Sequence, residues 1–257
     1  MASGNACIEV EDLTLAYGEE VTLRGLSFQV RCGDVFVIMG PSGSGKSTVL
    51  RALVGLKKPA SGRVLYDGVS LWDADPDGRR RVQRRIGVSF QSGALFSALT
   101  LAENVALPLE QFTDMPRSQV RDLAALKLAL VGLAGFEGYY PAQISGGMRK
   151  RAALARAMAL DPDVLFFDEP SAGLDPVNAR RLDDLIMELR DSLGTTIVMV
   201  SHELASIFTI GNRAVLLDSE ARTIIAAGDP RTLREESQDP RVRAFLTRGE
   251  EGGGRAR

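Results

Sequence analysis

The apolar residues near the start of the chain fall mostly two apart. Ile8, Val10, Leu13 and Leu15 follow this spacing, as do Phe28 and Val30. Alternation of period two predicts strands with one buried face. The N-terminal third therefore reads as antiparallel strands, with a further strand over Gly62–Asp67. Three short runs are apolar almost throughout: Val35-Phe36-Val37-Ile38-Met39, Val164-Leu165-Phe166-Phe167 and Thr196-Ile197-Val198-Met199-Val200. Their length suits strands buried on both faces. Helical stretches at Met148–Leu160 and Ala179–Leu193 precede the second and third runs, and a helix is predicted over Thr48–Gly55 after the first. Such alternation predicts an α/β fold with a mostly parallel sheet and helices on its faces. Residues 92–160 hold no comparable strand, are rich in Ala and Leu, and read as a helical insertion. The ending, Arg248–Arg257, is rich in Glu, Gly and Arg and reads as disordered.

Composition narrows the picture by exclusion. With 257 residues, 45% hydrophobic and 25% charged, the chain is neither wholly disordered nor a fibrous repeat. A net charge of −2 gives no footprint for nucleic acid. No apolar run approaches the ~18–20 residues that span a bilayer. Met1–Asn5 does not begin a secretory signal. Work at a membrane would need another component to hold the chain there. Two cysteines, Cys7 and Cys32, make neither a disulfide framework nor a zinc site, which predicts free thiols in a reducing cytosol. The single histidine, His202, excludes a multi-histidine metal centre.

Candidate chemistry starts after the first buried strand. Gly40-Pro41-Ser42-Gly43-Ser44-Gly45-Lys46-Ser47 fits G-x-x-x-x-G-K-[ST], with a strand before it and a helix from Thr48 after it. The glycines let the backbone curl so that several N–H groups face phosphate oxygens, and the helix start adds partial positive charge. Lys46 should reach the β- and γ-phosphates, and the Ser47 hydroxyl should bind Mg²⁺. A second acidic site, Asp168-Glu169, follows the buried run Val164–Phe167. The carboxyl end of a buried parallel strand is where such sheets bind ligands. Asp168 suits Mg²⁺, and Glu169 suits a base that deprotonates water.

Ile144-Ser145-Gly146-Gly147-Met148 lies between these sites. With it, about residues 7–230 resemble the ATP-binding cassette (ABC) ATPases, a branch of the P-loop NTPases with a RecA-like core. The resemblance implies a role for each matching residue. Tyr17 stacks on adenine, Gly40–Thr48 (Thr48 included) bind the phosphates, and Gln91 contacts Mg²⁺ and the attacking water. Ser145, Gly146 and Gly147 form the signature, which faces ATP held by a second subunit. Asp168 and Glu169 are the Mg²⁺ acid and the general base. Asp175 lies in the loop that crosses between subunits, and His202 senses the γ-phosphate. One phosphate loop and one signature per chain imply a head-to-tail homodimer with ATP at the interface. The signature departs from the family pattern at two places, Ile144 for leucine and Met148 for glutamine. The implied domain covers 7–240, with the helical subdomain at about 92–160 and a C-terminal extension over 241–257.

Phe90–Phe96, Glu103–Leu109, Ser145–Ala157 and Asp239–Leu246 are most similar to one branch, the ATPase subunits of Mla-type phospholipid transporters. That resemblance implies an inner-membrane permease, an MCE-type substrate-binding protein, a STAS-type regulatory subunit, no nucleic acid, and a place on the cytoplasmic face of the inner membrane. Other cargo (an amino acid, a metal ion, a lipoprotein) would use the same catalytic residues; a non-transport role on nucleic acid or ribosomes is the more distant alternative. Two features remain to be explained. Arg149, Lys150 and Arg151 crowd the first turn of the signature helix, against the helix dipole, so they either meet an anionic partner or point to water. Ala94, Leu95, Phe96, Ala98, Leu99 and Leu101 make an unusually apolar loop after Gln91, read either as a groove for the permease or as core.

Overall fold

Strands β1 (Ala6–Tyr17) and β2 (Glu20–Arg31) form an antiparallel hairpin in the computed structural model, which describes residues 6–248. The disordered end expected from Arg248 lies, apart from Arg248 itself, outside the described residues, as does Met1–Asn5. Ile8, Val10, Leu13 and Leu15 are buried with Leu23, Leu26 and Val30 of the second strand. The three-residue step from Val10 to Leu13 is a bulge: the register shifts there and Asp12 has φ +45°. One extra residue lets both apolar side chains face the same way.

The cysteine expectation is corrected here. Cys7 and Cys32 form a disulfide, with Cα atoms 5.1 Å apart. The register explains it: Ala6 pairs with Arg31 and Ile8 with Val30, so both cysteines fall at the same end of the hairpin. Without two free thiols the inference of a reducing compartment lapses. Closing a loop with a sequence separation of 25 contributes about 3–4 kcal/mol through chain entropy. Thiol reductant should therefore lower the thermal midpoint of the purified protein by about 10 °C, and Cys32→Ser should abolish that sensitivity. An unchanged midpoint would contradict a stabilising role.

Two compact units divide the chain, Met1–Asp75 with Val198–Arg257, and Pro76–Ile197. In the first, β3 (Val35–Met39) is buried along its length and leads to α1 (Lys46–Leu53). β4 (Ser61–Tyr66) pairs with β1, and β5 (Val69–Ser70) pairs with β4, giving the order β2-β1-β4-β5. The second unit opens with α2 (Pro76–Arg84) and β6 (Ile86–Ser89), neither of which the hydropathy pattern predicts. Three helices follow, α3 (Leu101–Phe112), α4 (Arg117–Leu130) and α5 (Gly146–Ala157). Thr100 and Glu103 cap the first of these reciprocally, and Leu101, Val105 and Leu109 mark its buried face. β7 (Val164–Asp168) pairs in parallel with β6, and α6 (Pro176–Leu193) closes on Gly194.

β8 (Thr196–Ser201), fully buried, carries the chain from the second unit back into the first. There follow α7 (Leu204–Ile210), β9 (Arg213–Asp218), β10 (Thr223–Gly228), α8 (Pro230–Glu236) and α9 (Pro240–Thr247). β9 runs parallel to β3 and antiparallel to β10. The fold is the predicted α/β P-loop type, with parallel strand pairs, an N-terminal antiparallel sheet and helices. Among the described residues no helix is long and apolar enough to cross a membrane.

Candidate active site

The phosphate loop leaves β3 at Met39 and turns into α1 through Gly45. Glycine is required at both ends of the turn. A Cβ at Gly40 would lie 2.6 Å from Ser44 Oγ and 2.7 Å from Leu217 O. Gly45 has φ +89°, and its Cβ would meet Leu23 Cδ1 at 2.7 Å. Lys46 is 6% exposed and its Nζ donates to Gly40 O and Pro41 O, each at 3.0 Å. Ser44 Oγ is buried without a hydrogen-bond partner. An orphaned hydroxyl in a glycine loop, beside a helix N-terminus and a buried ammonium, fits a polyanion with many acceptor oxygens. Ser47, one residue into α1, adds the hard oxygen donor that Mg²⁺ takes.

Tyr17 ends β1 and is 52% exposed. Lys57 Nζ sits 3.6 Å from its ring centroid and also donates to Ala16 O at 2.6 Å. Only the ring face opposite Lys57 can stack on a base. A hydrogen bond with Thr48, with Arg51 and Lys57 adding to it, holds the phenol below its ordinary value. Tyr17 is thereby tied to the helix that begins at the phosphate loop. In the same unit His202 follows β8, its Nε2 3.6 Å from Glu203 Oε1, and Arg248 donates to its carbonyl.

The second unit holds the remaining predicted residues. Asp168 and Glu169, at the end of β7, are 8% and 7% exposed. Glu169 has φ +52°, a region costly for any residue with a Cβ and characteristic of functional positions. Ser145 caps α5, its Oγ accepting from Met148 N at 3.2 Å. Asp175 caps α6, accepting from Val177 N at 3.1 Å and Asn178 N at 3.0 Å. Those bonds, led by Asn178, hold its carboxyl below the ordinary range. Ser145, Gly147 and Met148 line a cleft of about 410 Å³ together with Leu174 and Asn178. The unit thus places the signature beside the segment that carries Asp175.

Gln91 is exposed, and the loop behind it is held by two residues that the sequence reading missed. Arg156 donates to Gly93 O at 3.0 Å and Ala94 O at 2.7 Å. Asn104, fully buried, accepts from Phe96 N at 2.8 Å and donates to the carbonyls of Phe96, Leu99 and Thr100. A signal for Asn104 existed: it shares the apolar face of α3, where a polar side chain must find partners. Arg156 offered none, because its partners lie 62 and 63 positions away. The loop's side chains divide. Phe96 is 56% exposed, Ala94 and Ala98 are exposed, Leu95 and Leu99 are half-buried and Leu101 is core.

The basic turn of α5 divides: Arg149 is exposed, as the solvent reading has it, while Lys150 and Arg151 are half-buried, and all three donate to backbone carbonyls. Arg149 donates to Ile144 O at 2.9 Å, and Arg151 to Val131 O and Gly132 O at 3.1 and 3.2 Å. Lys150 donates to Pro170 O and Ala172 O at 2.5 and 2.6 Å. The cations serve backbone carbonyls, two of them at the C-terminal end of α4, where positive charge is favoured.

The family model described as ABC transporter matches residues 23–172. The chain is 40% identical over 246 residues to the Intermembrane phospholipid transport system ATP-binding protein MlaF of Haemophilus influenzae, covering 96% of this chain and 92% of that protein. It is 39% identical to mkl of Mycobacterium tuberculosis, named a probable ribonucleotide transport ATP-binding protein, over 93% of this chain and 66% of that one. Among solved structures, a dimeric ATP-binding cassette bound to ADP and Pi in a post-hydrolysis state matches with TM-score 0.78 and 32% identity, over 86% of this chain and 98% of that one. A subunit of the CbiONQ ABC transporter complex of Clostridium perfringens matches with TM-score 0.81 and 27% identity, over 96% of this chain and 98% of that one. A glycine loop built for a polyanion, a buried acid pair and these matches together establish that the chain belongs to the ABC transporter family, as its ATP-binding, ATP-hydrolysing subunit.

Proposed function

We propose that this subunit powers phospholipid movement between inner and outer membranes, working from the cytoplasmic face of the inner membrane. The observation that carries the reading is 40% identity along 92% of a phospholipid-transport ATPase. The likeness to mkl favours a second reading, ribonucleotide cargo, but leaves a third of that protein's length unmatched. In our reading 7–240 is the ATPase domain, 92–160 its helical subdomain and 241–257 an extension. Two copies pair head to tail, a reading supported as far as dimerisation by the likeness to a dimeric cassette.

Each residue then has a task. Lys46 neutralises the β- and γ-phosphates, and the loop from Gly40 to Ser47, with Thr48, cradles them. Tyr17 stacks on adenine. Ser47, Asp168 and Gln91 would hold Mg²⁺, which supplies charge neutralisation at the phosphates when bound. Glu169 takes the proton of the attacking water at its carboxylate. His202 contacts the γ-phosphate, and Ser145, Gly146 and Gly147 bind the nucleotide held by the other subunit. Asp175 lies at the crossing between subunits.

Exposure supports a partner surface in this reading. Phe96 and its neighbours present apolar side chains on a loop whose backbone Asn104 and Arg156 hold rigid, the kind of patch that receives a partner helix. We assign it to the permease; an MCE-type protein and a STAS-type subunit complete the assembly. Phe96→Glu and Leu95→Glu should leave the thermal midpoint and ATP binding unchanged, abolish co-purification of the permease and stop lipid transport. If both variants still assemble a working transporter, the surface is wrong. Mass spectrometry of the wild-type complex tests the cargo: bound phospholipid supports the reading, and nucleotide cargo with no lipid overturns it.

A further inference from the structure

Lys150 sits on the signature helix yet reaches the segment just after the acid pair. Its ammonium donates to Pro170 O at 2.5 Å and Ala172 O at 2.6 Å. These carbonyls begin one residue beyond Glu169, whose own backbone is held in the left-handed region. Five residues back along the helix, Ser145 caps its start. A lysine at this place costs the helix dipole and loses solvation, and burial depresses its charge while Glu169 restores part of it. That expense is accounted for only if the link it makes is needed.

We propose that Lys150 is a positioning residue for Glu169, clamping Pro170 and Ala172 to the signature helix so that the carboxylate is set when Ser145 engages its nucleotide. The proposal rests on Glu169 being the general base. It assigns to one side chain the coupling between the signature helix and the segment after the acid pair, whose two carbonyls lie 20 and 22 positions along the chain from Lys150. A misplacement of about 1 Å at a reacting group is enough for a large rate effect. Lys150 touches no reacting atom in this scheme; it acts through the backbone it holds.

The test is a mutant cycle read in steady-state ATP hydrolysis by the purified full chain. Lys150→Met should lower kcat about tenfold with KM for ATP within about twofold. Lys150→Arg, which keeps the donors, should recover most of the rate. In the Glu169→Gln background, Lys150→Met should cause no further loss. ATP-dependent dimerisation should persist, since the ligand contacts of Ser145 are intact. If Glu169→Gln itself retains turnover, the base reading fails and the proposal with it. If Glu169→Gln is inactive but Lys150→Met keeps wild-type kcat, or its loss multiplies fully with that of Glu169→Gln, the positioning role alone is overturned. Should Lys150→Met unfold, Lys150→Gln, with one amide able to serve a carbonyl, must give an intermediate kcat; a rate equal to wild type overturns the proposal.

Discussion

Glu169→Gln is expected to lose about 10²–10⁴-fold in single-turnover hydrolysis while binding ATP as tightly as wild type, the share of rate that a positioned general base supplies. The substitution keeps shape and removes only the basic oxygen. Glu169 is 7% exposed and sits in a strained backbone conformation, so its placement is specified by the surrounding structure. Hydrolysis blocked at this step leaves the nucleotide in place, and the variant with ATP and Mg²⁺ should therefore accumulate as a dimer in light scattering. Adding Ser145→Arg should return it to monomer, because a large cation replaces the cap of α5 at the proposed interface. Near-normal turnover would remove Glu169 from the base role, and a dimer indifferent to ATP and to Ser145→Arg would contradict the sandwich.

Lys46→Ala should abolish both binding and hydrolysis. Charge-assisted bonds contribute about 1.5–3 kcal/mol each, so two bonds to phosphate oxygens correspond to roughly 10²–10⁴-fold in affinity. The buried ammonium already donates to Gly40 O and Pro41 O, which keeps it over the loop before nucleotide arrives. The alanine variant forfeits those bonds as well, so its thermal midpoint must be measured beside nucleotide titration. A folded variant with near-wild-type affinity would refute the role assigned to Lys46.

Much of this site was legible because its parts are local. The glycine loop is a contiguous backbone conformation, and each glycine is required by its own φ or by atoms close by. Helix caps are local in the same sense: Ser145 caps α5 through an N–H only three positions along the chain. Continuous apolar runs revealed β3, β7 and β8, since a strand buried on both faces has no polar alternate positions. The short β6 escaped for the opposite reason. Its four residues, Ile86-Gly87-Val88-Ser89, carry too little pattern, and Gly87 is there because a Cβ would lie 2.1 Å from Ala157 O.

Hydropathy and motif spacing, then, determined on their own the order of the buried strands, the glycine loop between β3 and α1, and the acid pair after β7, because each is encoded by neighbours within a few residues. Tertiary structure decided what meets what. It joined Cys7 to Cys32 through hairpin register, placed Lys57 over Tyr17, and turned the cations of α5 onto carbonyls of distant segments. It also sorted the loop after Gln91 into an exposed Phe96 and a buried Leu101. The physical reason is common to all of these. Periodicity specifies the face on which a side chain lies, whereas hydrogen bonds, ion contacts and disulfides need a partner atom within a few ångströms, and only packing brings residues far apart in the chain that close.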